Sequence, residues 1–224
     1  MSEKDNNTKN FAVLTLDIIE VKELDKSDGS GKYTVAKATL PQGDKAPLPI
    51  VVVAVNGTAK ALQGAVGQSI TLAGKLGYAE KDGGTPQYKF FPWKVQEAEK
   101  PRNFVQLTLR AGQEPDAKYS DAGNFWAKIR AALGFGKDEA GKWKPSMWMT
   151  VKAFTTKDGD EDVPTTLSGL NKGDLFNASG RLAYEVYNDK GYLNLNATKI
   201  EVVAVEEHTP ATKVEDLPVP DDDI

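Results

Sequence analysis

Cysteine is absent from the 224 residues, which rules out disulfides and thiolate metal sites. Histidine occurs once, at His208, in a stretch rich in proline and acidic residues. Neither a zinc site nor a nucleophile activated by a histidine base can be built from that inventory. No apolar run approaches the roughly 20 residues that a membrane-spanning helix needs. The opening residues M-S-E-K-D-N-N-T-K lack the apolar segment of a secretory signal. These absences lead to the expectation of a soluble, cytoplasmic protein with no cofactor, no metal, no membrane partner and no enzymatic activity. The Asn-x-Ser/Thr triplets at Asn6, Asn56, Asn177 and Asn196 are accordingly read as chance occurrences.

A strong excess of positive charge is also missing: the formal net charge is −4. That figure conceals a split. Residues 201–224 hold eight acids and one base, whereas residues 1–200 hold 27 bases and 24 acids. A mildly basic body with an acidic tail has different partners from a uniformly acidic protein. Two sharper motifs fail on inspection. Gly67 to Lys75 resembles a phosphate loop, but the glycine spacing is wrong and no Ser or Thr follows the lysine. The Asp158-Gly-Asp160-Glu-Asp162 cluster lacks a Glu at the twelfth position of a calcium loop, where Gly169 stands.

What is present is a repeat. G-x6-G-[K/R]-L-x-Y occurs from Gly67 to Tyr78 and again from Gly173 to Tyr184. Asn10-Phe11-x-x-Leu14-Thr15-Leu16 recurs as Asn103-Phe104-x-x-Leu107-Thr108-Leu109. The offsets are 106 and 93 residues, so the second copy carries thirteen extra residues between the two motifs. Two copies of this length make two similar domains in tandem rather than a solenoid.

Period-two alternation predicts strands at 11–19, 32–40, 50–55, 68–79 and 88–96, with one short helix at 58–66. A polar joint at 97–102 leads to the same order: strands at 104–111, 124–133, 147–154, 175–187 and 192–205, with a helical turn near 165–170. Gly180, mid-strand, marks a sharp bend or close backbone approach. Asn188, Asp189 and Gly191 form a hairpin turn. The extra length is placed at 134–145, a finger ending near Lys142-Trp143-Lys144. Five strands with a helix between the third and fourth is the pattern of an OB-type barrel. The fold expected is therefore all-β: two tandem five-stranded OB barrels over 10–98 and 103–205, each with one short helix. A disordered stretch at 1–9 precedes them and a disordered acidic tail at 206–224 follows.

In the second copy, Met147, Met149, Val151 and Ala153 share a core face, and Trp148, Thr150, Lys152 and Phe154 share the opposite one. Phe125, Ala127 and Ile129 point inward while Trp126, Lys128 and Arg130 point outward. Arg181 and Tyr187 join that outer face, as do Tyr192, Asn194 and Asn196. Rings interleaved with cations suit single-stranded nucleic acid: rings stack on bases and cations pair with phosphates, neither reading sequence.

Residues 107–132, with the run Gly112-Gln-Glu-Pro-Asp-Ala-Lys-Tyr119, resemble the opening of the bacterial single-stranded-DNA-binding protein family. So do Ser146-Met147-Trp148 through Phe154, and Lys172-Gly173 through Tyr184. The resemblance implies base stacking by Trp148 and Phe154, with Phe135 and Tyr187 at positions where the family usually has Trp. It also implies a homodimer supplying four OB folds, roles in DNA replication, recombination and repair, and a nucleoid location. The family's acidic tip recruits DNA-processing enzymes. Here Asp221, Asp222, Asp223 and Ile224 occupy that place without the usual final Pro-Phe.

The first copy is similar but departs. Its third strand, 49–55, has no Trp, Lys or Phe at the matching positions, and both faces are apolar, suggesting burial against a neighbour. Tyr33, Lys37, Lys75, Tyr88, Phe90 and Trp93 are its candidates for weaker or differently placed binding, with an assembly role as the close second. An RNA-binding OB protein and a scaffold that binds only proteins stay open as alternatives.

Overall fold

The computed structural model describes residues 8–26, 29–81 and 85–203. His208, Asp221, Asp222, Asp223 and Ile224, and the disorder expected at 1–7 and 206–224, lie outside the described residues. Lys9, expected to be disordered, is tied down: its backbone N–H donates to Thr108 Oγ1 at 2.7 Å.

The chain forms β1 (Asn10–Asp25), β2 (Lys32–Gln42), β3 (Lys45–Ala54), α1 (Asn56–Gln63), β4 (Ser69–Lys81) and β5 (Thr85–Val95). The second half adds β6 (Asn103–Ala111), β7 (Asp116–Tyr119), β8 (Phe125–Leu133), β9 (Met147–Phe154), α2 (Asp162–Ser168), β10 (Leu175–Tyr187) and β11 (Lys190–Val202). Both helices begin earlier than the sequence periodicity suggests, at Asn56 and Asp162. The short strand β7 was not anticipated. It lies between loop residues and spans four positions, too few for alternation to register.

Strand order is β2-β3-β5-β4-β1-β6-β10-β11-β9-β8-β7, with added pairings β2–β1 and β6–β8. Those two pairings close each half into a five-stranded circuit, while β7 extends the second. Within each circuit the third and fifth strands run parallel (β3–β5, β9–β11) and the other pairs antiparallel. This is the OB arrangement, with its helix between the third and fourth strands. The interior is filled by the alternating apolar residues of every strand. Phe90 and Phe176 are the largest fully buried side chains.

Gly74 and Gly180 do the same job in the two halves. A Cβ on Gly180 would sit 2.1 Å from the Asn196 carbonyl, and one on Gly74 would sit 2.4 Å from that of Phe91. Both mark register shifts, at Ala73/Gly74 and Ser179/Gly180. There the partner backbone presses too close for any side chain. At the tip of β10–β11, Asn188 and Asp189 have φ of 49° and 58°, the left-handed pair of a two-residue hairpin turn.

The two halves meet along β1 and β6, which pair antiparallel from Asn10↔Leu107 to Leu14↔Asn103. The contacts are reciprocal. Asn10 donates to the Leu76 carbonyl and accepts from the Leu76 N–H, both at 2.9 Å. Asn103 treats Leu182 the same way, at 2.8 and 2.9 Å. Across the seam, Thr108 exchanges two bonds with the Lys9 backbone, and Thr15 two with the Arg102 backbone. The repeated Asn-Phe-x-x-Leu-Thr-Leu and Gly-[Lys/Arg]-Leu motifs are thus two ends of one contact, each Asn bracketing the Leu of its own half.

Candidate nucleic-acid interface

The outer surface of the second barrel is set by the pairing of β8 with β9. The register places Trp126 opposite Phe154, Lys128 opposite Lys152, Arg130 opposite Thr150 and Ala132 opposite Trp148. Residues alternating with these, such as Ala127, Ile129, Val151 and Ala153, are fully buried. The polar and aromatic set therefore has no place but outside. Trp126 and Phe154 stack with centroids 6.4 Å apart and planes 27° apart. Lys118 and Lys128 lie 5.0 and 5.5 Å from the Trp126 ring, and Arg130 lies 5.3 Å from that of Trp148. Trp148 and Phe154 remain 45% and 51% exposed. Gly112 makes room for Trp148: a Cβ there would lie 2.5 Å from the indole.

Lys128 and Lys152, directly opposed, would repel each other. Each has an acidic neighbour instead: Asp116 is 3.1 Å from Lys128, and Glu185 is 3.1 Å from Lys152. Such exposed pairs contribute little to stability and exchange readily for another anion. At the sequence-predicted finger, Lys137 and Trp143 form an isolated bridge, and Lys144 N–H donates to the Gly136 carbonyl at 2.9 Å. Lys142, Trp143 and Lys144 are exposed on it, with Lys137 5.1 Å from the Trp143 ring.

Not every expected residue joins this surface. Phe135, at the finger's base, is half-buried and packs one side against the core. Asn194 is buried as well. Tyr187 is exposed at the β10–β11 tip, two residues beyond Glu185. Arg181 lines a different cleft, of about 540 Å3, beside Arg102, Phe104 and Thr198 near the seam. Two residues were missed. Lys118 and Tyr119 stand on β7, and Tyr119 is 63% exposed with its ring 5.0 Å from that of Phe125. Their signal lay in D-A-K-Y, absorbed into a longer loop-like stretch.

The first barrel does not gather its candidates. Phe90 is fully buried, so it is a core residue and not a contact for any strand. It faces inward because its parallel partner is Val52, which is also fully buried. Tyr88 is half-buried, with Tyr78 and Tyr184 each 6.4 Å away; burial and those neighbours push its phenol up to about 12. Trp93 stacks on Phe11 near the seam. Lys75 is exposed on β4 opposite Phe91. Tyr33 and Lys37 do occupy the face matching that of the second barrel, but Lys37 is held by Glu20 at 2.6 Å. Hydrogen bonds from Lys22 and Lys37 draw the Glu20 carboxyl down to about 2.

The pairings identify counterparts. Val52 faces Phe90 as Val151 faces Leu195. That correspondence puts Pro49 where Trp148 stands, Val53 where Lys152 stands and Val55 where Phe154 stands. It also matches Tyr33 with Trp126, Val35 with Lys128 and Lys37 with Arg130. Val51 and Val53 are half-buried while Pro49 and Val55 are exposed, so the burial expected for this strand's outer face is not met within the chain. Counterparts are 93 apart on β1 and β2, 99 on β3 and 106 on β4. Six of the thirteen extra residues therefore precede β9 and seven follow it. The finger holds only part of the insertion; the rest forms the loop at 155–161 ahead of α2, next to Phe154.

Compared with known proteins, the chain matches no protein-family model and no curated protein sequence. Its fold does match solved structures. A deletion mutant of the single-stranded DNA binding protein from Thermus aquaticus aligns with a TM-score of 0.58 and 19% identity, over 91% of this chain and 97% of that one. The wild-type Thermus aquaticus protein aligns with a TM-score of 0.56 and 17% identity, over 88% and 93%. At that identity the likeness speaks for the fold. The class that fold and strand order define is an all-β chain carrying two OB circuits. Among the described residues no helix is long and apolar enough to cross a membrane, and no group of His, Asp or Glu is arranged to hold a metal.

Proposed function

We propose that this protein binds single-stranded DNA, largely independently of sequence, through the outer face of its second barrel. The observation that carries the reading is the row of Trp126, Phe154 and Trp148, interleaved with Lys118, Lys128, Arg130 and Lys152, above a closed core. Each base stacked on such a ring contributes roughly 1–3 kcal/mol, and the cations release counterions from phosphates. The finger residues Lys142, Trp143 and Lys144, with Tyr187, extend the path. The same fold in the Thermus aquaticus single-stranded DNA binding protein supports the choice of ligand.

In this reading residues 10–98 and 103–205 are two OB-fold domains joined along the β1–β6 seam. The first binds more weakly, because rings are replaced by Pro49 and Val55 and Lys37 is neutralised by Glu20. Two copies of the chain assemble four OB folds. The protein coats exposed strands in the cytoplasm during replication, recombination and repair. It catalyses nothing, and its acidic tip, Asp221 to Ile224, docks DNA-processing enzymes.

Titrating tryptophan fluorescence with an unstructured thymine oligomer tests the core of this reading. Strong quenching, lost in part in Trp148→Ala and Phe154→Ala variants that still fold, supports it. No quenching at low salt favours a protein-only scaffold. Tighter binding of the ribose counterpart would instead mark an RNA-binding protein. Removing residues 215–224 is expected to leave affinity equal or slightly higher; a marked loss would make the tail part of the site. Light scattering reads the dimer.

A further inference from the structure

A cleft of about 310 Å3 opens between the halves. Tyr78, Glu80 and Tyr88 of the β4–β5 hairpin form one wall, and Arg130, Trp148 and Tyr192 of the second barrel form the other. The cleft therefore continues the aromatic row past Trp148 and brings the first half into contact with whatever lies there. Its odd member is Glu80. A carboxylate beside a phosphate-binding surface repels the backbone it is meant to hold. Among the described residues no ion pair involves Glu80; the Tyr78 hydroxyl donates to it at 3.1 Å. That bond orients the carboxylate and leaves lone pairs on both oxygens.

We propose that this cleft is a base-selective subsite, in which Glu80 accepts hydrogen bonds from the edge of a base leaving Trp148. Phosphate is excluded from that spot by charge, and Arg130 on the opposite wall holds the backbone. A carboxylate with two free acceptor sites fits best a base that offers two adjacent donors. Guanine does so, with its ring N–H beside its exocyclic amine. Cytosine and adenine offer one amine beside an acceptor nitrogen, and thymine offers one N–H between two carbonyl oxygens, which a carboxylate repels. The subsite thus lays a local preference for guanine on an otherwise tolerant path. The inference rests on the reading of the second barrel as a single-strand binder.

The test compares three oligomers of equal length on the full chain: all thymine, alternating thymine–guanine, and alternating thymine–inosine, inosine being guanine without the amine. Affinity is expected to run guanine above inosine above thymine. The first step corresponds to one hydrogen bond to a charged acceptor, about tenfold or more per engaged base. Glu80→Gln is expected to collapse the guanine–inosine difference while raising affinity for thymine, because a negative charge is gone. Tyr78→Phe, which frees the carboxylate, is expected to shrink the difference without abolishing it. Equal affinity for guanine and inosine oligomers in the native protein, or a preference that survives Glu80→Gln, overturns the subsite. Absence of binding to all three, or binding unaffected by Trp148→Ala, overturns the underlying reading instead.

Discussion

The two barrels share a frame down to single atoms and differ across one face. Asn10 and Asn103 bracket their leucines with the same pair of bonds, and Gly74 and Gly180 admit the same backbone approach. On the outer surface of the third strand, however, Trp148, Lys152 and Phe154 stand against Pro49, Val53 and Val55. Whatever closes an OB circuit is thus separable from whatever covers it. Inward positions answer to packing with the other strands, and outward ones answer to a ligand or to nothing.

That contrast can be broken in four ways. The largest effect belongs to the frame. Asn10→Ala and Asn103→Ala each strand a backbone N–H and carbonyl, and each should cost about 2–3 kcal/mol in chemical denaturation. Unequal losses would mean the halves are not equivalent where they look most alike. Next comes the face. Trp148→Ala should lose roughly 1–3 kcal/mol of affinity for a thymine oligomer, while its counterpart Pro49→Ala changes nothing in the same titration. Third is a transplant: Pro49→Trp with Val55→Phe should give the first barrel a measurable share of binding, about fivefold in affinity at the low end of one stacked base, and a new quenching signal.

The smallest effect concerns Glu20, whose carboxyl lies at about 2, held there chiefly by hydrogen bonds from Lys22 and Lys37. A depressed carboxylate stabilises the fold above its ordinary range and stops doing so as pH falls. Melting curves of the native chain and Glu20→Gln should differ slightly at neutral pH. They should converge as pH falls from about 4.5 toward about 2. A gap that widens on acidification would have the wrong sign for this arrangement.

Much of the frame was legible because it rests on alternation. Met147, Met149, Val151 and Ala153 declare an inner face, so Trp148 and Phe154 are outer by parity alone. Gly180 and the Asn188-Asp189 turn were readable for the same local reason. The candidates on the last strand of the first barrel were not. Phe90 and Phe91 are adjacent aromatics, and a register shift near Gly74 decides which turns inward. Periodicity does not see a bulge. Phe135 has the right chemistry for a contact, yet its partial packing against the core depends on residues distant in sequence. The division of the insertion around β9 was hidden as well, because a motif offset sums every gap between two landmarks. Glu80 drew no notice, and Tyr78 was read only as a landmark of the repeat, because the cleft they line is completed by the second half standing opposite.

The seam bonds are exchanged crosswise: Lys9 with Thr108, and Arg102 with Thr15. Each half therefore supplies the border that the other lacks. A protease cutting the short connection would release no free fragment, only an unlike couple still clasped along one strand pair. The covalent tether then has a single remaining task, to fix the ratio: every face rich in rings is issued with one that is poor in them.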